Sequence, residues 1–174
     1  MKGKRNMATQ EYRIRNMKQS DMDVAIAWAA REGWNPGLQD TGSFWACDPT
    51  GFFLGLLGDE PVGCISAVKY ENDFAFIGFY IVKEEYRGQG YGIQLWKHAM
   101  DSLQGRNIGL DGVVAQQENY KKSGFHLAYR NFRYEGILDN QLINEPLGLG
   151  LIPLREVPFQ QVLDYDRFCF PAAR

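Results

Sequence analysis

Residues 74–103 read FAFIGFYIVKEEYRGQGYGIQLWKHAMDSL and contain the clearest structural signals in the chain. Its first nine residues, 74–82, are aromatic, β-branched or small and contain no proline, which predicts a strand buried on both faces. Four apolar residues then recur at helical spacing, namely Ile93, Trp96, Met100 and Leu103. This spacing predicts an amphipathic helix that starts close to the last of three intervening glycines.

A glycine-rich turn joins the predicted strand to the predicted helix. Gly88, Gly90 and Gly92 stand at every second position, and Arg87 precedes them. The first N–H groups of a helix lack intrahelical partners and lie at the positive end of the helix dipole, so they bind anions. Glycines let the backbone close around a phosphate, and Arg87 adds a positive charge. We therefore interpret residues 87–92, the glycine loop, as a pyrophosphate-binding turn.

Two other phosphate-binding motifs fit the glycine loop less well. A Walker loop requires Lys-Ser or Lys-Thr after its last glycine, and neither dipeptide follows here. A dinucleotide-binding turn requires Gly-x-Gly-x-x-Gly; Gly88 and Gly90 fit this pattern, but position 93 is isoleucine. Asp111 lies about where a ribose-binding acid is expected, so a dinucleotide-binding oxidoreductase stays open at this motif.

Composition limits the classes of function. A chain of 174 residues that is 45% hydrophobic suits one domain with a substantial core. A net charge of −2 without a long basic run gives no basis for a nucleic-acid partner. Three cysteines without CxxC spacing and two scattered histidines argue against a disulfide framework and a metal site. No apolar run is long enough to span a bilayer, so we expect no membrane partner and a cytoplasmic location.

The region before residue 50 predicts one strand and two helices. Residues 12–17 alternate in the manner of a short strand. A helix follows with Ser20 as its N-cap and ends at Gly33. Residues 34–48 are aromatic and interrupted by turn residues, and we expect a short helix at 41–46 within them.

The next strands predict a mixed sheet. Residues 52–57, 62–70 and 74–82 are joined by short turns, which indicates an antiparallel meander. An apolar strand at 108–115 follows the helix after the glycine loop, so this crossover makes it parallel to residues 74–82. A dinucleotide-binding fold normally opens with a strand–glycine–helix unit, which weakens that alternative.

Four further elements are predicted downstream. Residues 116–125 indicate a short helix ended by Gly124. Residues 129–137 and 147–154 are predicted to form strands, and residues 158–167 a helix.

The motif Val82-x-x-x-x-Arg87-x-x-Gly90-x-Gly92 resembles motif A of the GNAT superfamily of N-acetyltransferases, which holds the pyrophosphate of acetyl-coenzyme A (acetyl-CoA). A second segment, Tyr120-x-x-x-Gly-Phe, is similar to another superfamily motif. The resemblance implies an α+β fold: a twisted, mostly antiparallel sheet of six to seven strands, with a parallel pair at the cofactor site and about four helices. It also implies acetyl-CoA as cosubstrate. The residues that it implies for coenzyme binding are Ile81, Val82, Arg87, Gly88, Gln89, Gly90, Tyr91, Gly92, Ile93 and Asn119.

The resemblance also implies catalytic roles. A backbone N–H of Ile81 or Val82 would stabilise the oxyanion. Tyr120, near the thioester sulfur, would give a proton to the departing thiolate, since a tyrosine has a pKa of about 10 and a thiol of about 8.5. Superfamily members often place a glutamate on the central strand, but residues 74–82 contain no carboxylate. We rank a water-mediated route first for deprotonation of the amine; the side-chain candidates for the base are Tyr80, Asp48, Asp73 and His126.

Aromatic residues are candidates for the acceptor site. In the superfamily, the region after the first helix forms part of the wall of this site. Trp34, Phe44 and Trp45 are the residues expected there, although aromatic side chains more often belong to the core. Their ring faces would suit a cationic or apolar amine.

We expect an acetyltransferase domain at residues 1–145 and a C-terminal extension at residues 146–174. The tail is similar to the segment that begins the second half in a subgroup of tandem acetyltransferases. Since the sequence stops at Arg174, we expect the tail either to come from a lost or trimmed second half or to pack on the first domain or another subunit. A homodimer is one such assembly.

The preferred function is an N-acetyltransferase that transfers an acetyl group from acetyl-CoA to a primary amine without a covalent enzyme intermediate. The alternative from another class is a non-catalytic regulatory domain that binds CoA or acyl-CoA, which the missing carboxylate favours. A dinucleotide-binding oxidoreductase would instead bind NAD.

Overall fold

The structure is a computed structural model of the chain, and it describes residues 11–37, 39–132, 134–137, 150–170 and 172. These residues form two compact units, one running up to Asp111 and the other from Gly112 to Phe170. The predicted domain boundary between residues 145 and 146 lies outside the described residues and stays a prediction.

In the residues that the structure describes, the first unit is a five-stranded sheet with three α-helices. The strands are β1 (Tyr12–Asn16), β2 (Phe52–Leu57), β3 (Glu60–Tyr70), β4 (Phe74–Val82) and β5 (Asn107–Leu110). The helices are α1 (Met22–Arg31), α2 (Asp40–Cys47) and α3 (Tyr91–Ser102). The strands lie in chain order, antiparallel except for the parallel pair of β4 and β5. The predicted mixed α+β sheet is therefore confirmed.

The helices of the first unit cover both faces of the sheet. Strand side chains alternate, so Phe52 and Leu54 pack in the core cluster that contains the buried face of α1. Phe53 points to the opposite face, where its ring lies 4.7 Å from the ring of His98 on α3. α3 buries Leu95, Trp96 and Ala99. Because both faces are covered, β4 is apolar along its whole length.

A bulge interrupts the pairing of β3 and β4. Cys64 is opposite Ile81 and Ser66 is opposite Gly78, so two residues of β4, Phe79 and Tyr80, face one residue of β3. Phe79 has a φ of 46°, which is uncommon for a residue other than glycine. The buried thiol of Cys64 donates to the carbonyl of Phe79 at 3.2 Å. The bulge therefore bends β4 just before the glycine loop.

The described part of the second unit contains two α-helices, α4 (Gln117–Lys122) and α5 (Phe159–Cys169). Gly124 has a φ of 92° and follows α4, as expected for a glycine that ends a helix. The predictions of a short helix before Gly124 and of a helix at 158–167 are both confirmed. In the described part of the chain, no helix combines the length and the apolar character needed to cross a bilayer.

Three predicted strands are wrong or shortened. Residues 129–132 and 134–137 form no regular secondary structure, and the side chains of Tyr129, Phe132 and Tyr134 are exposed, so these alternating apolar residues lack a face to bury against. In the prediction at 147–154, residues 150–153 are irregular and Leu154 starts a short 3-10 helix; residues 147–149 lie outside the described residues. β5 ends at Leu110; the rest of the predicted strand is irregular at residues 111–113 and enters a 3-10 helix at Val114. The described residues thus hold five strands, not six to seven.

The predicted N-cap of α1 is also wrong. A single 3-10 turn, Gln19–Asp21, precedes α1, so Ser20 lies inside helical structure. The carboxylate of Asp21 accepts the backbone N–H of Lys18 at 2.7 Å and pairs with Arg15 at 2.6 Å. Because Asp21 satisfies the N–H at the start of this turn, the helical segment begins before Ser20.

We predict opposite effects for alanine at two glycines. A Cβ at Gly63 would lie 2.9 Å from Leu95 Cδ1 and 3.1 Å from the Ile81 carbonyl, so Gly63→Ala should lower the free energy of unfolding by about 1–3 kcal/mol. Gly42 lies in α2 with no atom within 4 Å of a Cβ, so Gly42→Ala should raise it by about 0.5–1 kcal/mol. Urea unfolding measures both. A stability of Gly63→Ala equal to wild type would contradict the close packing of α3 on β3.

Candidate functional site

The glycine loop connects the end of β4 to the start of α3. Gly88 and Gly90 have φ values of 74° and 86°, in the left-handed region that favours glycine. A Cβ built on either residue would have no atom within 4 Å. Backbone conformation, not lack of space, therefore requires glycine at these two positions, and the surface of the loop is open.

Gly92 has a different role from the other two glycines. It lies in the first turn of α3, and a Cβ there would come within 2.9 Å of the Tyr80 hydroxyl oxygen and 3.2 Å of Val82 Cγ2. The ring of Tyr80 also lies 5.4 Å from that of Trp96. Gly92 thus lets α3 pack closely on β4, and the hydroxyl of Tyr80 lies next to Gly92 at the end of the glycine loop. The role of Tyr80 as a base stays a prediction.

The backbone of β4 presents alternate amides to opposite sides. The Lys83 N–H donates to the Val62 carbonyl at 3.0 Å, so Lys83, and with it Ile81, turns its amide towards β3. The amide of Val82 faces away from β3. Pairing with β5 extends only as far as Ile77 and Leu110, so Val82 lies beyond the end of β5. Of the two residues predicted to supply an oxyanion N–H, the geometry favours Val82.

The side chain of Arg87 is held by two contacts. Its Nε donates to the Val82 carbonyl at 2.8 Å, and one terminal nitrogen donates to Glu32 Oε1 at 2.5 Å. Glu32 caps the C-terminus of α1, and both side chains are partly exposed. The predicted positive charge beside the loop is therefore partly balanced by Glu32. Sequence reasoning missed Glu32, because the two residues are 55 positions apart and no local pattern links them.

Gln89 and Ile93 complete the predicted coenzyme-binding segment of the first unit. The side-chain amide of Gln89 donates to the carbonyl of Glu85 at 2.9 Å, which braces the loop against the preceding turn. Ile93 is about half exposed in the first turn of α3. The first hydrogen bond within α3 runs from the Gln94 N–H to the Gly90 carbonyl. The N–H groups of residues 91–93 therefore precede the helical hydrogen-bonding pattern and can bind an anion.

The three aromatic residues predicted for the acceptor site pack against the core next to α1 and α2. Trp34, Phe44 and Trp45 are all partly buried there. The ring of Phe44 meets the ring of the bulge residue Phe79 edge-on at 5.6 Å, and Trp45 stacks on Phe52 at 6.0 Å. Phe44 therefore lies next to the bulge of β4, whereas Trp45 mainly contributes to packing.

Two of the predicted bases lie away from the glycine loop, and one of them has a structural role. The carboxylate of Asp48 accepts the N–H and hydroxyl of Thr50 at 3.0 and 2.7 Å and the N–H of Lys69 at 3.1 Å. Asp73 precedes β4 at the end farthest from the glycine loop. Nine strand residues at about 3.3 Å each separate Asp73 from the loop by roughly 30 Å. Neither carboxylate is placed to act beside the loop.

Tyr120 and Asn119 lie on α4, in the second unit. Burial raises the pKa of the Tyr120 hydroxyl, so the side chain keeps its proton at neutral pH. The side-chain amide of Asn119 donates to Gln116 Oε1 at 2.7 Å. His126 follows in the same unit. The roles of these residues at the glycine loop stay predictions. Among the residues that the structure describes, no cluster of His, Cys, Asp or Glu could hold a metal ion.

A mixed sheet whose fourth strand leads into a glycine loop and a helix N-terminus is the arrangement of an acetyltransferase of the GNAT class. Residues 14–127 match the sequence profile of the acetyltransferase (GNAT) family. The chain belongs to this family.

Similar proteins of known sequence or structure also belong to this class. The chain is 39% identical over 146 residues to the holothin acyltransferase of Pseudoalteromonas sp. (strain SANK 73390), covering 84% of this chain and 49% of that protein. A provisionally named acetyltransferase from Pyrococcus horikoshii has a TM-score of 0.57 and 27% identity, covering 70% of this chain and 46% of that chain. The chain thus spans about half the length of both. Ard1 of Thermoplasma volcanium, at 23% identity and a TM-score of 0.57, shares the fold over 66% of this chain and 82% of its own.

We predict that Glu32→Gln strengthens anion binding at the glycine loop. An incoming phosphate must share Arg87 with Glu32, and glutamine keeps the size of the side chain while removing its charge. Since a partly exposed ion pair contributes about 0.2–1 kcal/mol, the Kd for coenzyme A should fall by roughly 1.5- to 5-fold at low salt. Isothermal titration calorimetry measures this. The control is Glu60→Gln, which breaks the Lys83–Glu60 pair with the same change of charge. An equal gain in both variants would mean that net charge, not competition for Arg87, governs affinity.

Proposed function

We propose that this chain is an N-acetyltransferase that transfers an acetyl group from acetyl-CoA to a primary amine by direct nucleophilic attack. The observation that carries the proposal is the glycine loop, where Gly88 and Gly90 adopt positive φ at the N-terminus of α3. Membership of the GNAT family and the name of the holothin acyltransferase support acyl transfer. The acetyl group, the primary amine and a cytoplasmic location, in keeping with three free cysteines, are parts of the proposal.

The residues of the loop fit the pyrophosphate of acetyl-CoA. The N–H groups of residues 91–93 precede the first helical hydrogen bond, and the space above Gly88 and Gly90 is open. Two phosphate charges match the positive end of the helix dipole. Arg87 can contribute through its N–H groups that neither Val82 nor Glu32 occupies, because a guanidinium has five.

The chemistry requires one bond to form and one to break. The amine nitrogen forms a bond to the thioester carbonyl carbon and loses a proton, and the carbon–sulfur bond then breaks to leave a thiolate. The N–H of Val82 would stabilise the oxyanion, and Tyr120, protonated at neutral pH, would give the thiolate its proton. The amine proton would leave through water, because β4 carries no carboxylate, Asp48 has a structural role and Asp73 precedes the far end of β4.

The alternative function is a regulatory domain that binds CoA without catalysis. The observation that favours it is the absence of a carboxylate along β4, where a base would act most directly on an acceptor amine. In that case the glycine loop would bind the coenzyme, but no amine would be acetylated.

We predict that acetyl-CoA and coenzyme A raise the Tm of the wild-type protein, whereas NAD does not. A ligand at a hundred times its Kd adds about 2.7 kcal/mol to the free energy of unfolding, which a thermal-shift titration detects. Gly90→Val should lose this response, because valine cannot adopt a φ of 86° without strain at the loop.

The matched control is Gly105→Val. Gly105 has a φ of 81° and open space around it, so valine strains the backbone similarly, but it lies after the other end of α3. Gly105→Val should keep the response to acetyl-CoA. If coenzymes leave the wild-type Tm unchanged, or if both variants lose the response alike, the glycine loop is not the binding site.

We predict that Tyr120→Phe lowers kcat by about 10²- to 10⁴-fold and leaves the KM for acetyl-CoA within a factor of two, because the hydroxyl acts as general acid. A thiol-release assay over a panel of amines measures both. The control is Tyr134→Phe, at an exposed tyrosine of the same unit. An amine-dependent kcat that is equal in wild type and Tyr120→Phe would remove Tyr120 from the mechanism. A protein that binds CoA but acetylates no amine would favour the regulatory domain.

A further inference from the structure

A tyrosine from the first strand makes contact with the end of the glycine loop. The hydroxyl of Tyr12, on β1, donates to the backbone carbonyl of Tyr91 at 3.2 Å. The two rings lie 4.7 Å apart and are tilted by 35°. Tyr91 is the first residue of α3, and 79 positions separate it from Tyr12. This hydrogen bond therefore joins the outermost strand of the sheet to the turn that presents N–H groups to an anion.

A glycine in β2 makes this contact possible. Gly55 pairs with Ile14 of β1, two residues from Tyr12. A Cβ at Gly55 would overlap the hydroxyl of Tyr12 and lie 3.0 Å from its Cζ. The side chain of Tyr12 thus crosses β2 through the space that the missing side chain of Gly55 leaves, and only then reaches α3.

A neighbouring tyrosine provides a comparison. The ring of Tyr86 also contacts Tyr91, at 6.3 Å, but its hydroxyl donates to Glu60 at 3.0 Å instead of to α3. Both tyrosines pack against Tyr91, while Tyr12 in addition bonds to the backbone of the helix. The hydroxyl of Tyr12 therefore restrains the position and orientation of the first turn of α3 relative to the sheet.

We propose that Tyr12 is a positioning residue for pyrophosphate binding: its hydrogen bond to Tyr91 holds the first turn of α3 so that the N–H groups of residues 91–93 converge on the anion. This inference rests on the proposed binding of acetyl-CoA at the glycine loop. Pre-organised donors bind more tightly because less ordering occurs on binding.

The protonation state of Tyr12 agrees with this role. Burial, followed by the neighbouring Tyr80 and Tyr91, raises the pKa of Tyr12 to about 12. The hydroxyl consequently remains a hydrogen-bond donor at every pH used for assays of acetyl transfer.

The test compares Tyr12→Phe with Tyr86→Phe, each of which removes one hydroxyl and keeps the ring on Tyr91. Calorimetry with coenzyme A and with inorganic pyrophosphate should show a Kd about 3- to 10-fold higher for Tyr12→Phe and unchanged for Tyr86→Phe. Where wild type is active, the KM for acetyl-CoA should rise by the same factor and kcat at saturation should stay the same. Gly55→Ala, which displaces the hydroxyl and leaves Tyr12 in place, should weaken binding as Tyr12→Phe does.

Three results would overturn the inference. The first is a Kd for coenzyme A that is equal in Tyr12→Phe and wild type. The second is a lower Tm of Tyr12→Phe without a change of either Kd, which would make the hydroxyl a contributor to stability alone. The third is an equal loss of affinity in Tyr86→Phe. A wild-type protein that binds neither coenzyme A nor pyrophosphate would instead refute the proposed function, and this inference with it.

Discussion

The end of β4 beyond β5 is the feature on which the candidate site depends. Parallel pairing with β5 covers residues Phe74 to Ile77, while antiparallel pairing with β3 continues to Val82. Between these limits the bulge at Phe79, held by the thiol of Cys64, bends the strand. The result is a strand that is fixed on one side and has backbone groups on the other side that no strand of the described sheet covers. A ligand can pair with such groups much as a strand would.

The regular spacing of Gly88, Gly90 and Gly92 does not indicate that these glycines have different structural roles. Gly88 and Gly90 provide positive φ at open positions, whereas Gly92 provides close approach between α3 and β4. Together they place a helix N-terminus beside the uncovered part of β4. Loop conformation and helix packing are thus separate requirements, and a substitution at each position would fail for a different reason.

Hydrophobic periodicity predicted the elements of the first unit because each of them buries a face there. β2 and β4 have the bounds that were predicted, since each is a continuous apolar run that is largely buried in the sheet. The segment 129–137 contains apolar residues among charged ones, and those of its residues that the structure describes form no strand, because a pattern does not identify the partner that a strand needs. The contacts of the glycine loop with Glu32 and Tyr12 could not be predicted either. They span 55 and 79 residues and depend on the register of the sheet and the end of α1.

Those two contacts fasten opposite ends of the same loop. Glu32, at the end of α1, holds Arg87 where the loop begins, and Tyr12, from β1, holds Tyr91 where α3 begins. Between these two contacts lie Gly88 and Gly90, which have positive φ and no side chain that could hold the loop in place. A loop of glycines would lose much conformational entropy on closing around an anion, and the hydrogen bond of Tyr12 to the start of α3 reduces that loss before a ligand arrives. The anchors differ in kind: a charge pair competes with an anion for Arg87, whereas a hydrogen bond to a carbonyl leaves every N–H of the first turn available. If the loop binds a pyrophosphate as proposed, Glu32 lowers the affinity by competing for Arg87, whereas Tyr12 raises it by holding the donors in place.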